Sequence, residues 1–318
     1  MRNFALIGAA GYIAPRHMQA IKATGNCLIA ALDPSDSVGI IDDYFPEASF
    51  FTEFERFDRH LDKLRRVEPA QAAHFVSVCS PNYLHDSHVR FALRNGADAI
   101  CEKPLVLNPW NLDSIGEMER ATGRTVNTIL QLRVHPAIVR LRESVAAAAA
   151  VGRKHEVDLT YITSRGLWYR HSWKGDEKKS GGIATNIGVH FFDMLHFIFG
   201  AIQANVVHLN EPTRAGGYLE YENARVRWFL SVESNDLPDA QQAAGQRTFR
   251  SIAVDGEEIE FSGGFADLHT RSYELILDGK GFGLEENRCA IATVTHIRNA
   301  APAPLTGDYH PMVAKSVR

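Results

Sequence analysis

Three groups of residues have types and spacings that could do chemistry. The first is Glu102, Lys103 and Pro104, which close the apolar run from Asp98 to Cys101. That run is too short for a helix and follows the turn residue Gly96, so it reads as a buried strand. Proline cannot continue a central strand. Pro104 therefore leaves Glu102 and Lys103 at the strand's C-terminal edge, where open parallel sheets bind ligands. A lysine there is a candidate for moving a proton, although the same residues also allow a surface lysine paired with Glu102. The second group is Asn186, His190 and Asp193. Val189 to Phe199 has a helical pattern closed by Gly200, and spacings of four and three put all three residues on one face near its start. A lone histidine on an apolar helix is more often a core residue than a catalyst, so the amide and acid beside it matter. The third group is a glycine turn and an acid. After the strand Phe4 to Ile7, the residues Gly8 to Ala14 must turn tightly and offer N–H groups at a helix N-terminus, as a pyrophosphate requires. Gly8 and Gly11 depart from strict GxGxxG, with Ala10 where glycine is usual and Ala14 in the last place. Asp33 ends the next strand about twenty residues past Gly11, where a carboxylate accepts from a ribose hydroxyl. A simple turn cap is the other reading of Asp33. A 2′-phosphate would face Asp33 and Asp36, and residues 33–40 contain no arginine or lysine. The predicted cofactor is NAD, not NADP.

These groups need a scaffold, and the chain spells one out. Leu28 to Leu32 is a strand, and Thr52 to Glu55 a capping box opening a helix with Phe54, Phe57, Leu61 and Leu64 on its apolar side. His74 to Cys79 is a strand, Ser80 to Asn82 its turn, and a helix runs from about Tyr83 to Asn95. Asn108 caps a helix with Pro109 at its first position, and Val126 to Leu132 is a further strand. Such alternation predicts an α/β fold with a doubly wound parallel sheet, assigned to a Rossmann domain over residues 1–124. Residues 125–318 are predicted as an α+β domain with a largely antiparallel open sheet. Its strands are Glu156 to Thr163, Ala204 to Leu209, Gly217 to Glu222, Ala224 to Ser231, Thr248 to Val254 and Glu257 to Phe261, with Asp255 and Gly256 as a hairpin turn. Leu237 to Gly245 reads as an exposed loop, residues 268–298 as two helices, and 300–318 as a tail rich in turn residues.

Composition excludes several classes. The 318 residues are 45% hydrophobic and 23% charged, enough for two domains with ordinary cores. A net charge of -4 points to neither nucleic acid nor an anionic membrane as a partner. Cys27, Cys79, Cys101 and Cys289 form no CxxC pair, so no metal is expected, and free thiols fit a cytoplasmic location. No apolar run approaches the ~20 residues of a membrane span, and Met1 to Asn3 leads straight into a strand and not into a signal peptide.

Two motifs make the reading specific. Cys79, Ser80, Pro81 and Asn82 with the downstream His85, followed by Glu102, Lys103 and Pro104, resemble the Gfo/Idh/MocA family of NAD(P)-dependent oxidoreductases acting on sugars. The second half carries the family's glycine pair, Gly181 and Gly182, then Gly188, His190 and Asp193, with Asn186 replacing the usual acid. The resemblance implies catalytic roles for Lys103 and His190. It also implies a cofactor site formed by Gly8, Gly11, Tyr12, Ile13, Asp33, Ser35, Asp36, Ser80, Pro81, Asn82, His85, Glu102, Lys103 and Gln131. Glu102 would help hold the nicotinamide ribose.

Departures from the common pattern point to a subgroup. They are one extra residue at Ala10 to Tyr12, the run Gln131 to Pro136, and the segments Ser164 to Tyr169 and Ser172 to Gly175. These resemble family members that oxidise C3 of UDP-N-acetylglucosaminuronate on the route to diacetylated mannuronic acid in bacterial surface polysaccharide, including lipopolysaccharide O-antigen. Substrate contacts would then fall on Lys103, Arg165, Trp168, Tyr169, Ser172, Trp173, Lys174, Asn186, His190 and Asp193. A diphosphate and a carboxylate call for cations, and aromatic rings can stack on sugar or uracil. Lys178 and Lys179 belong to the same segment and read equally as solvated charges. A homo-oligomer, tetramer or dimer, is implied as well, and 2-oxoglutarate as the reoxidant of NADH is left open. Two other readings stand beside this one: a dehydrogenase of a free sugar or polyol, and a non-catalytic NAD-binding sensor.

Overall fold

The structure is a computed structural model that describes residues 1–149, 152–260 and 267–316. The chain divides into two compact units. The first runs from Met1 to Gln131 and takes back a later segment that ends at Arg288; the second holds the rest.

In the first unit, β1 (Asn3–Ile7), β2 (Cys27–Leu32), β3 (Ser49–Phe51), β4 (Phe75–Val78), β5 (Asp98–Cys101) and β6 (Val126–Thr128) form one parallel sheet in the order β3-β2-β1-β4-β5-β6. The helices between them are α1 (Ala14–Ala23), α2 (Phe54–Val67), α3 (His85–Arg94) and α4 (Pro109–Thr122). This is the doubly wound α/β fold expected, with its switch point between β1 and β4. The central strands are mostly apolar because helices cover both faces, with Ser77 of β4 the buried polar exception that the site uses. Phe4, Leu6, Val76, Val78, Ala99 and Ile100 have no exposed surface, and each fully buried side chain of Phe or Leu size contributes about 1.5–3 kcal/mol. The sequence offered no signal for β3, a three-residue edge strand. Nor does the expected capping box form: Glu53 is the N-cap of α2, and no side chain caps it. Strand β6 stops at Thr128, and Gln131–Val134 turn into a 3-10 helix. Since β6 hydrogen-bonds to β5, the first unit's sheet extends beyond the predicted boundary at residue 124.

The second unit begins with α5 (Pro136–Ala149), β7 (His155–Thr163), the short α6 (Leu167–His171) and α7 (Glu177–Ser180), and α8 (Val189–Phe199). Then come β8 (Ile202–Asn210), β9 (Arg214–Tyr221), β10 (Ala224–Ser231), α9 (Asp239–Ala243), β11 (Thr248–Val254) and β12 (Glu257–Glu258). Its sheet runs β12-β11-β7-β10-β9-β8, antiparallel except where β10 lies parallel to β7. Asp255 and Gly256, with φ of 53° and 85°, make the predicted hairpin turn. One face packs on α8, where Phe192 meets Trp228 edge-on at 5.2 Å. Gly217 pairs with Trp228 across the strands, and a side chain there would strike the Val206 carbonyl oxygen and crowd the indole. On the opposite face Arg225 pairs with Glu156 and Arg227 with Asp158 along the same register. The predicted loop 237–245 contains α9. The last strand was expected to reach residue 261, which lies outside the described residues. The tail, read as turns, holds α12 (Pro311–Ser316), while α10 (Leu268–Leu277) and α11 (Leu284–Asn299) are the two expected helices.

Buried histidines make both units acid-sensitive. His88 lies stacked on Phe54 with Nδ1 on Ser80 Oγ, and His310 is stacked on Phe229 with Nε2 on Thr160 Oγ1. Burial pushes each from 6.5 to about 4. Below pH 6.5 the unfolded chain binds protons that the folded one refuses, so stability falls from pH 6.5 down to about 4 and then levels. Each histidine should cost about 2–3 kcal/mol between pH 7 and 4.5. Urea titrations of His310→Gln, followed by tryptophan fluorescence, are expected to show a flatter fall than the parent. Parallel curves would remove His310 as a source.

Candidate active site

The C-terminal ends of β1, β2, β4 and β5 meet at the switch point of the first unit. Gly8 follows β1 with φ of 90°, and a Cβ on it would lie 2.6 Å from the Cys79 carbonyl carbon and 2.7 Å from Ser80 N. Only glycine lets the β1 turn pass this close to the β4 turn. Asp33 ties the neighbouring loops together, with Oδ2 accepting from Ala10 N at 2.9 Å and Oδ1 from Ser35 N at 2.9 Å. Ser35, Asp36 and Tyr12 are exposed, while Gly11 and Ile13 are half-buried. Among the other residues predicted for the cofactor, Ser80 and Asn82 are buried and Pro81 is half-buried. Gln131 has a buried Oε1 with no hydrogen-bond partner, an acceptor such as a bound group could use. A bare glycine crevice, an acid on the β2 turn and an unsatisfied amide fit a dinucleotide.

His85 was predicted to touch the cofactor, and the structure gives it another task. It is 1% exposed, with Nδ1 2.7 Å from Pro104 O and Nε2 2.7 Å from Ser80 O. Each ring nitrogen faces a backbone carbonyl, one from the β4 turn and one from the β5 edge; the neutral ring donates to one of them, and the imidazolium to both. Burial lowers its pKa, opposed by the two carbonyls and by the charge of Glu102.

Glu102 is not the partner of a surface lysine. Its Oε1 accepts from His17 Nε2 and His269 Nε2, each at 3.0 Å, and Oε2 from the Lys103 backbone N–H at 3.3 Å. His17 Nδ1 lies 2.8 Å from Tyr273 Oη, which lies 2.6 Å from Ser77 Oγ. Burial works against the charged carboxylate, but the bonds from His17 and His269 outweigh it and hold Glu102 well below the usual range. Burial lowers His17 too, with Glu102 opposing. Lys103, half-buried, stands directly beside this network. His17, His269 and Tyr273 were missed from sequence. His17 reads as a core residue of α1, and α10 carries the other two from far along the chain.

The second unit holds the other predicted groups. His190 sits in α8 with its ring 4.1 Å from that of Phe191 and 6.2 Å from that of Tyr161. The residues before α8, Ala184–Gly188, form a short π-helix, so the predicted single helical face does not extend back to Asn186. Asn186 Nδ2 donates to Tyr169 Oη at 2.8 Å. Asp193, only 2% exposed, accepts from Arg133 through both Nε and a terminal nitrogen, the shortest contact being 2.7 Å. This buried pair occupies the residue predicted to touch substrate, and Arg133 was not singled out. In the segment before α8, Lys174 Nζ lies 5.3 Å from the ring of the exposed Trp168 and 5.6 Å from that of Trp173. Ser172 Oγ spans Tyr169 O and Lys174 N, shaping that loop, and Arg165 is exposed.

Known proteins resemble this chain in both halves. Residues 2–129 match the Gfo/Idh/MocA oxidoreductase family model, NAD-binding Rossmann fold, and 152–247 its C-terminal alpha/beta domain. The crystal structure of the WlbA (WbpB) dehydrogenase from Thermus thermophilus in complex with NAD and UDP-GlcNAcA is 50% identical, with a TM-score of 0.93, over 98% of this chain and 99% of that one. The same enzyme in complex with NAD and alpha-ketoglutarate matches with a TM-score of 0.92 and the same identity and coverage. D-glucoside 3-dehydrogenase of Escherichia coli is 27% identical over 39% of this chain and 35% of its own length. The first curated relatives are matched over less than two thirds of their length, 63% at most.

Proposed function

The chain belongs to the Gfo/Idh/MocA oxidoreductase family, NAD-binding through its Rossmann fold, and on that premise we propose that it oxidises the C3 hydroxyl of UDP-N-acetylglucosaminuronic acid to the 3-keto sugar. The observation that carries this is the 50% identity, end to end, with a dehydrogenase crystallised with NAD and UDP-GlcNAcA. Bound NAD supplies the hydride acceptor, and 2-oxoglutarate is the co-substrate proposed to restore it. Gly8, Gly11, Asp33, Ser80 to Asn82 and Gln131 are the residues proposed to hold the dinucleotide. Lys103 and His190 are proposed to handle the hydroxyl proton, one removing it and the other orienting or relaying it. Arg165, Lys174, Trp168 and Trp173 offer charge and ring faces to the diphosphate and uracil. A cytoplasmic homo-oligomer serving surface polysaccharide, such as lipopolysaccharide O-antigen, is the setting proposed.

Incubation with NAD and UDP-N-acetylglucosaminuronate, with and without 2-oxoglutarate, tests this reading. A 3-keto sugar is expected, together with 2-hydroxyglutarate when 2-oxoglutarate is present. No keto product, or faster oxidation of a free sugar or inositol, would replace the substrate. Asp33→Asn should weaken NAD about tenfold and narrow the preference over NADP, since a neutral amide no longer repels a 2′-phosphate. An unchanged ratio of the two affinities would take Asp33 out of cofactor choice.

A further inference from the structure

We propose that His17, Tyr273 and His269 are positioning residues that fix the Glu102–Lys103 edge, so that helix α10 is part of the catalytic machinery of the first unit. The inference rests on the role given to Lys103 above. The family models match residues 2–129 and 152–247, so Tyr273 and His269 fall outside both.

The hydrogen bonds leave one arrangement of protons. A carboxylate only accepts, so His17 Nε2 and His269 Nε2 must both donate to Glu102 Oε1. With one proton on its ring, His17 has to accept at Nδ1, and Tyr273 Oη supplies that bond. Ser77 Oγ in turn donates to Tyr273 Oη. The chain of donors runs from Ser77 through Tyr273 and His17 to Glu102, and His269 meets it from the other side. Ser77, His17 and Tyr273 have no exposed surface, and His269 is 5% exposed. Such a closed network holds its members in one rotamer each.

The consequence lies at Oε2. With Oε1 held from two directions, the other oxygen faces the backbone N–H of Lys103 at 3.3 Å. The carboxylate thereby sets the direction in which the chain leaves β5, and with it the root of the Lys103 side chain. His85 holds the far side of the same edge through Pro104 O. The same three ligand types, two histidines and a carboxylate, have atoms within 4.8 Å of one another and would also suit a metal ion. Hydrogen bonds account for both ring nitrogens of His17 and for Nε2 of His269.

Three variants test the proposal. His269→Ala should lower kcat about 10- to 100-fold, the range expected when a reacting group is misplaced by about an ångström, with KM and NAD affinity within twofold. His269→Gln, whose amide can place an N–H near the position of Nε2, should recover most of that loss. Tyr273→Phe takes away the donor to His17 Nδ1, leaving Glu102 to hold the ring alone, and should give a smaller loss, still in kcat. Independently of any substrate, amide exchange of the peptide covering residues 99–106 should quicken in His269→Ala and return in His269→Gln. If that exchange is unchanged, Glu102 is not holding the edge and the proposal fails, whatever the substrate. A loss in His269→Gln equal to that in His269→Ala overturns it too, as does a stoichiometric metal in the purified protein. If the parent itself turns over no UDP-sugar while exchange behaves as stated, the substrate reading has failed and the positioning role stands.

Discussion

Lys103→Met is expected to lower turnover by about 10²- to 10⁴-fold, the range that a positioned acid–base group contributes, while NAD affinity stays within twofold. The substitution keeps an unbranched chain of similar bulk and removes the amine. The backbone N–H that meets Glu102 Oε2 is retained, so the β5 edge and the network behind it should stand unchanged. Stability should move by less than about 0.5 kcal/mol, because the side chain is only half-buried. The measurement is NADH formation at 340 nm in a single turnover, beside NAD binding by fluorescence. Turnover within fivefold of the parent would remove Lys103 from the chemistry. His190→Asn separates the second candidate: a loss confined to KM makes His190 a binding residue, whereas a loss in kcat keeps it in proton transfer.

How much of this could be read in advance follows from the range over which each feature is encoded. The alternation of strands and helices, the β5 edge, the Asp255–Gly256 turn and α8 closed by Gly200 are local patterns, and they stand where expected. Glu102 shows where local reading ends. A glutamate next to a lysine at a strand end looks like a ligand-facing pair, yet its partners come from α1 and from α10, far away in sequence. His85 is similar. Its place after the Pro81–Asn82 turn suggested the cofactor, and only the folded chain brings Ser80 O and Pro104 O to its two nitrogens. The sheet's sixth strand is three residues long and carries too little pattern to fix a boundary. The π-helix before α8 left no trace in the spacing, which assumed regular helix back to Asn186.

Asp193 provides the second large effect. Its carboxylate and the Arg133 guanidinium are both under a tenth exposed and form a fork of three hydrogen bonds. Taking both charges out of water is costly, and their mutual attraction mostly offsets that cost without adding much. Breaking the pair is a different matter. Asp193→Asn would remove the carboxylate that takes three hydrogen bonds from the buried Arg133 guanidinium, which also lies over the Phe197 ring that Arg142 faces. The expected loss is about 3–5 kcal/mol. Urea unfolding followed by tryptophan fluorescence should report it, since Trp168, Trp173 and Trp228 all belong to the second unit. Replacing both partners, Arg133→Met with Asp193→Leu, should regain most of the loss, because both charges of the pair are then removed together. A ligand-facing Asp193 predicts the opposite pattern, with little change in stability, a large rise in KM for Asp193→Asn, and no recovery in the double variant. The double variant therefore decides between an acid that binds substrate and one that anchors the helix bearing His190.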